Sequence, residues 1–214
     1  MINFINFGII LFIITLIYLA KVEMVKSYFS LMAMQGIILF GLALLQLLQS
    51  KEINVVQLLF ILIETLVFKA IFVPLFLQRV TKNKTHRHRH GPLKSYYSVF
   101  FAILIIILSF ISAHLMHDEY LQIKYFTAAT SSILIGLFIA IINRDLVTHL
   151  ISYLVIENGI FLLSLALGSD MPMFVNAAIL LDIFTSVLIM GIFFNRLKDY
   201  FQNTDVSQLS QLKD

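Results

Sequence analysis

The chain has 214 residues, of which 60% are apolar and 13% are charged, and its net charge is +3. Soluble domains are roughly 45–50% apolar and about 25% charged, so this composition excludes a disordered chain and argues against a water-soluble enzyme. Cysteine is absent, which excludes disulfides, Cys-ligated zinc and Cys-ligated iron–sulfur clusters and leaves any redox centre to a partner.

Seven apolar segments are long enough to cross a membrane, where a helix needs about 20 mainly apolar residues. They cover residues 2–20, 28–48, 55–77, 96–115, 125–142, 147–167 and 173–194. We therefore predict an all-α fold, a polytopic membrane bundle of about seven transmembrane helices. The connections between the spans are too short to hold a separate soluble domain.

Positive charge is concentrated in alternate connections. Twelve of the 15 Lys and Arg residues follow spans one, three, five and seven, whereas Lys51 and Lys124 lie on the opposite side. Because cytoplasmic loops carry the excess of Lys and Arg, we predict an outer amino terminus and a cytoplasmic carboxyl terminus. The polar segment 195–214 is then a cytoplasmic tail.

Residues 78–95 form the one sizeable hydrophilic loop between spans, which we predict to be cytoplasmic. Its histidines alternate with arginines, in the order His86, Arg87, His88, Arg89 and His90. Imidazoles bind metals, but the arginines repel a cation, and no carboxylate or thiolate assists. We therefore favour a basic loop that faces lipid headgroups, and we predict no metal site and no cofactor in this chain.

Two parts of the chain resemble one another. Gln35-Gly36-Ile37 aligns with Asn158-Gly159-Ile160 at an offset of 123 residues, and Ile61–Glu64 aligns with Ile179–Asp182 at an offset of 118. We predict two three-helix repeats, at 1–77 and 125–194, joined by an extra helix at 96–115. The extra crossing makes the repeats parallel, related by an axis near the membrane normal. The alternative is chance similarity between Leu/Ile-rich helices.

Four ionisable residues lie near the middle of predicted spans: Glu64, Lys69, Glu157 and Asp182. Each costs roughly 2.5–3.5 kcal/mol on insertion scales, so such residues usually face the bundle interior, a wet cavity or a partner. In an α-helix Lys69 lies about 140° around from Glu64, so we expect Lys69 to meet Glu157, Asp182 or an acid of another subunit. Carboxyl groups that can be charged or neutral, beside a lysine, suit a proton relay. The alternative is that they only join helices by hydrogen bonds.

Four further side chains extend this pattern. His149, Tyr153 and Glu157 recur every four residues and so share a helix face, which predicts a proton entry line from the cytoplasmic end. An interfacial histidine and a packed tyrosine explain that spacing equally well. Gln35 lies mid-helix and aligns with Asn158, and their amides are candidates for bridging an acid to water.

These residues carry a family resemblance. The run Tyr153–Phe161, the later Leu180-Leu181-Asp182 and Leu188–Ile192, and the helix-three run Glu64–Pro74 resemble component E of hydrogenase-4. The resemblance covers about residues 5–195. Residues 125–194 are also similar to the K subunit of respiratory complex I and to the C subunit of multisubunit sodium/proton antiporters, in which two successive helices carry buried glutamates. Glu157 and Asp182 fall near the matching positions.

The resemblance implies a non-catalytic membrane subunit of a complex I-like assembly in a bacterial or archaeal cytoplasmic (inner) membrane. Antiporter-like and hydrogenase-type subunits are the implied partners, and no nucleic acid is implied. Glu157, Asp182, Glu64 and Lys69 would pass protons or couple charge. The alternative is a subunit of a cation/proton antiporter or ion-driven uptake complex without redox partners, and a third possibility is a structural anchor.

Overall fold

A computed structural model describes residues 2–22, 25–49, 58–59, 61–75, 95–116, 122–143 and 146–167. These residues form six helices and no strand. In chain order they are α1 (Ile2–Lys21), α2 (Val25–Leu47), α3 (Leu62–Phe72), α4 (Ser95–Leu115), α5 (Ile123–Ile142) and α6 (Leu146–Ala166). The predicted seventh span, the basic loop and the polar tail lie outside the described residues.

Five of these helices, all except α3, are long and apolar enough to cross a membrane. Their bounds agree with the corresponding predicted spans to within about three residues. Apolar side chains remain exposed along them, including Phe4 and Ile14 on α1 and Phe100 and Phe110 on α4. Because lipid tails solvate such surfaces as well as a protein core does, these helices indicate a multi-pass membrane protein.

Four helices pack as a closed ring of neighbours in the order α1, α2, α6 and α5, with α3 beside α2 and α4 beside α1 and α5. α2 contacts α1, α3 and α6, whereas α6 contacts α2 and makes the most extensive interface of all with α5. α1 also contacts α4 and α5, and α4 contacts α5. The helices that the predicted repeat equates, α1 with α5 and α2 with α6, are therefore spatial neighbours.

Glycines permit the close approach of α5 and α6. A Cβ atom on Gly136 would lie 2.9 Å from the Ser152 carbonyl oxygen, and one on Gly159 would lie 2.9 Å from the Ala129 carbonyl oxygen. Small residues let membrane helices approach closely enough for van der Waals packing to hold them. The Ser132 hydroxyl adds a hydrogen bond across the interface, donated to the α6 backbone at 2.8 Å.

Helix α3 differs from the prediction. The expectation of ordinary α-helical geometry is wrong for Leu62–Phe72, which forms a π-helix of 11 residues. A π-helix has i→i+5 hydrogen bonds and is rare. Residues five apart therefore lie on one side of α3, which changes the spatial relation between Glu64 and Lys69.

Candidate functional site: a buried ion pair between α3 and α6

Three consecutive residues of α6 face three different helices. Glu157 lies beside Lys69 of α3, Asn158 donates a hydrogen bond to Gln35 of α2, and Gly159 packs against the backbone of α5. Successive residues of an α-helix point about 100° apart, so one helix can make all three contacts within one turn. Glu157 is thereby directed to a position enclosed by neighbouring helices.

Lys69 and Glu157 form a buried ion pair. Lys69 Nζ lies 3.9 Å from Glu157 Oε1, and the side chains are 9% and 3% exposed. This distance exceeds a direct hydrogen bond, so the attraction between the two groups is mainly Coulombic. Of the three partners expected for Lys69, the structure places Glu157 beside it.

An aromatic ring completes the surroundings of the lysine. Lys69 Nζ lies 4.9 Å from the centroid of the Phe161 ring, and Phe161 is itself buried. Phe161 follows Glu157 by four residues, so both side chains project from one face of α6. The negative face of the ring attracts the ammonium group, which gives Lys69 two favourable contacts on α6.

A chain of amide and hydroxyl groups lies next to the ion pair. Asn158 Nδ2 donates to Gln35 Oε1 at 3.1 Å, and Gln35 Nε2 donates to Thr15 Oγ1 at 3.0 Å. Thr15 in turn donates to the Phe12 carbonyl oxygen at 2.6 Å. Gln35, Asn158 and Thr15 are all buried, so the chain links α6, α2 and α1 where an unpaired polar group would be costly.

Gly36 places the backbone of α3 directly against α2. A Cβ atom at this position would lie 2.7 Å from the Ala70 backbone nitrogen and 2.9 Å from the Lys69 carbonyl carbon. Real side chains do not approach a backbone so closely. The absence of a side chain at residue 36 therefore permits the position from which Lys69 reaches Glu157.

The expected separation of Glu64 and Lys69 by about 140° is wrong, because it assumed α-helical geometry. In the π-helix the two backbone positions are one i→i+5 step apart and lie on the same side of α3. Only the backbone of Glu64 is described. Asp182 lies outside the described residues, so its place in the acidic layer stays a prediction.

The predicted entry line runs from an exposed to a buried position along α6. His149 is exposed, Tyr153 is half-buried and Glu157 is buried, and all three lie within the helix Leu146–Ala166. They share a face as the spacing predicted, while their part in proton transfer stays a prediction. Among the described residues, no group of three or more potential ligands from His, Cys, Asp and Glu is placed to hold a metal ion.

The amides of Gln35 and Asn158 bond to one another, an arrangement that the sequence did not predict. Roles for Thr15, Gly36 and Phe161 at this site were not predicted from the sequence. Two of these carry a signal that could have identified them: Gly36 belongs to the repeated Gly-Ile motif, and Phe161 is one turn beyond Glu157. Thr15 carries none, because its contact depends on how α1 packs against α2.

Comparison with known proteins gives a partial match. A Mycobacterium tuberculosis protein described as uncharacterized protein Rv0085 is 29% identical to the chain over 87 residues. The match covers 41% of this chain, which spans only 40% of the length of that relative. No protein-family profile matches the sequence, and no solved structure matches it.

Proposed function

We propose that the chain is an integral subunit of a membrane complex related to hydrogenase-4 and complex I, and that its midplane ionisable residues relay protons or couple charge. The observation that carries this proposal is the Lys69–Glu157 pair, held at 3.9 Å between two apolar helices. The sequence resemblance supplies the class of complex, and the buried pair supplies the chemistry.

The pair is suited to charge coupling because each member can exist in a charged and a neutral form. Transfer of a proton onto Glu157 would remove the attraction that holds Lys69 beside it. Lys69 would then be released toward another acid, and we propose Glu64 and Asp182 for that role. The enclosed site strengthens this coupling, because nearby charges interact more strongly away from water.

Access to the pair is proposed along α6. The face that carries His149, Tyr153 and Glu157 changes from exposed to buried over two helical turns, as a path for protons into the membrane requires. In the full proposal the chain has seven transmembrane helices in two repeats, an outer amino terminus and a cytoplasmic tail. It lies in the inner membrane of a bacterium or archaeon.

The proposal is tested by purifying the tagged chain from its native membrane and identifying the co-purified subunits by mass spectrometry. Hydrogenase-type and antiporter-like subunits together are the expected partners. Antiporter or uptake subunits without redox proteins would replace the hydrogenase assignment with the cation/proton antiporter alternative. A chain that purifies without any partner subunit contradicts the proposal.

Function is tested in the assembled complex with Glu157→Gln and Asp182→Asn. Both variants should assemble, retain electron transfer between the complex's own redox subunits, and lose ion transport measured in sealed membrane vesicles. Glu119→Gln removes a carboxylate from the connection between predicted spans 96–115 and 125–142, which the orientation prediction places outside the membrane, and as the matched control it should transport normally. Normal transport by both midplane variants would refute the relay, and loss of assembly in both would favour a structural anchor.

A further inference from the structure

Two adjacent residues of α2 contact the two helices that carry the ion pair. Gln35 bonds to Asn158, the neighbour of Glu157, and Gly36 contacts the α3 backbone at Lys69 and Ala70. This short stretch of α2 therefore contacts both α6, which carries Glu157, and α3, which carries Lys69. Neither Gln35 nor Gly36 is itself a member of the pair.

The amide contact joins two residues that occupy equivalent positions in the predicted repeats. Gln35 and Asn158 are the residues that the predicted repeat equates, at an offset of 123 residues, and they are hydrogen-bonded to each other. In an arrangement with two-fold symmetry, a residue can touch its own counterpart only beside the symmetry axis. The Gln35–Asn158 bond therefore marks where an axis relating α2 and α6 would pass.

The charges beside this contact do not follow that symmetry. The counterparts of Glu157 and Lys69 at the same offsets are Met34 and Val187, which carry no charge. The amide–Gly-Ile motif thus occurs in both repeats, whereas the positions equivalent to the ion pair carry no charge. The motif accordingly has a role in holding helices that is separate from the chemistry of the charges.

We propose that Gln35, Gly36 and Asn158 are positioning residues that set the distance between Lys69 and Glu157. The Asn158–Gln35 bond fixes the rotation of α6 about its axis, and Gly36 fixes how closely α3 approaches α2. Their effect on transport rests on the proposed function, but their effect on the separation of α3 and α6 does not. The two can therefore be tested separately.

The expected displacement follows from the contact at Gly36. Carbon and nitrogen atoms pack at about 3.5–4.0 Å, whereas a Cβ at residue 36 would lie 2.7 Å from the Ala70 nitrogen. The Gly36→Ala substitution must therefore push α3 away by about 1 Å. Gly41 lies on the same helix, and a Cβ atom added there would meet no described atom within 4 Å, so Gly41→Ala is a matched control.

Cross-linking measures the separation of α3 and α6 directly. The chain contains no cysteine, so the introduced residues are its only thiols. Lys69→Cys and Glu157→Cys are introduced together, so that neither member of the pair faces an uncharged replacement of the other. Bifunctional thiol reagents of graded length are then applied to membrane vesicles that contain the full chain. In this background Gly36→Ala should slow reaction with the shortest effective reagent by about tenfold or more, since about 1 Å of misplacement can change a positioned reaction by about 10²-fold.

A second variant tests the amide bond without changing Gly36. Gln35→Leu with Asn158→Leu removes both amides and leaves neither unpaired, and it should also slow the short cross-link. The exchanged pair, Gln35→Asn with Asn158→Gln, preserves an amide on each helix and should restore the rate. Recovery in the exchanged pair would show that the amide contact itself, and not the particular residue on each helix, sets the distance.

The outcomes separate the two proposals. Unchanged cross-linking in both Gly36→Ala and the double leucine variant would overturn the positioning role, and so would equal slowing by Gly41→Ala. Altered cross-linking with transport unaffected by Glu157→Gln would support positioning and contradict the relay. Altered cross-linking together with reduced transport by Gly36→Ala would support both.

Discussion

Removing one member of the Lys69–Glu157 pair should cost far more than removing both. Lys69→Met keeps the length of the lysine side chain without its charge, and Glu157→Gln keeps the shape of the carboxyl group. Each single substitution leaves the opposite charge buried, because both side chains are almost fully enclosed. The double substitution leaves two uncharged groups facing one another.

The magnitude follows from the geometry of the pair. Two unit charges 3.9 Å apart attract by about 4 kcal/mol at an effective dielectric constant of about 20. Breaking a buried pair typically costs about 3–5 kcal/mol, whereas replacing both members is often neutral. The remaining group can change its protonation state, so we expect each single substitution to cost about 3 kcal/mol and the coupling to be at least about 2 kcal/mol.

The assay is a double-mutant cycle on the free energy of unfolding of the purified chain in detergent micelles. Lys124→Met is the control, since Lys124 is exposed and bonds to Asn6 at the bundle surface, and it should change stability by less than about 0.5 kcal/mol. Single substitutions whose effects add to within about 0.5 kcal/mol would refute the reasoning, because they would show that the two charges do not interact.

Three further substitutions test the contacts around the pair by the same measurement. Phe161→Leu should destabilise the chain by up to about 2 kcal/mol by removing the ring beneath the ammonium, and the cost should be smaller in the Lys69→Met background, where only the loss of core packing remains. Thr15→Val should cost about 1–3 kcal/mol, because it leaves a buried amide without its acceptor; an effect near zero would show that the amide finds another partner. Gly159→Ala should cost about 1–3 kcal/mol by overpacking the interface of α5 and α6, and a neutral result would mean that the helices separate easily.

Composition and apolar run length were sufficient to predict the helical class and the five long helices. Apolar segments such as 2–20 and 96–115 are long enough to span a membrane, and the described helices Ile2–Lys21 and Ser95–Leu115 follow them closely. The reason is that lipid leaves an apolar segment no other way to satisfy its backbone. Helix boundaries in this chain are therefore determined by local sequence.

Helix contacts were harder to predict, because apolar residues surround each helix and give no single packing face. Ionisable and amide residues were the exception, since each needs a partner away from lipid. Lys69 and Glu157 were named from sequence for that reason, as were Gln35 and Asn158. Which of several partners each would meet depended on the packing of α2, α3 and α6, and the sequence left that choice open.

The π-helix shows why spacing alone was insufficient. A separation of five residues places two positions about 140° apart in an α-helix but on the same side of a π-helix. The apolar pattern of Leu62–Phe72 does not distinguish these geometries, because its apolar residues are spread around the helix in either one. The place of Lys69 also depends on a tertiary contact, since the α3 backbone at Lys69 and Ala70 packs against Gly36. The position of the lysine is thus permitted by a glycine on another helix, 33 residues earlier in the chain, and substitution of that glycine should disturb the ion pair without touching either charge.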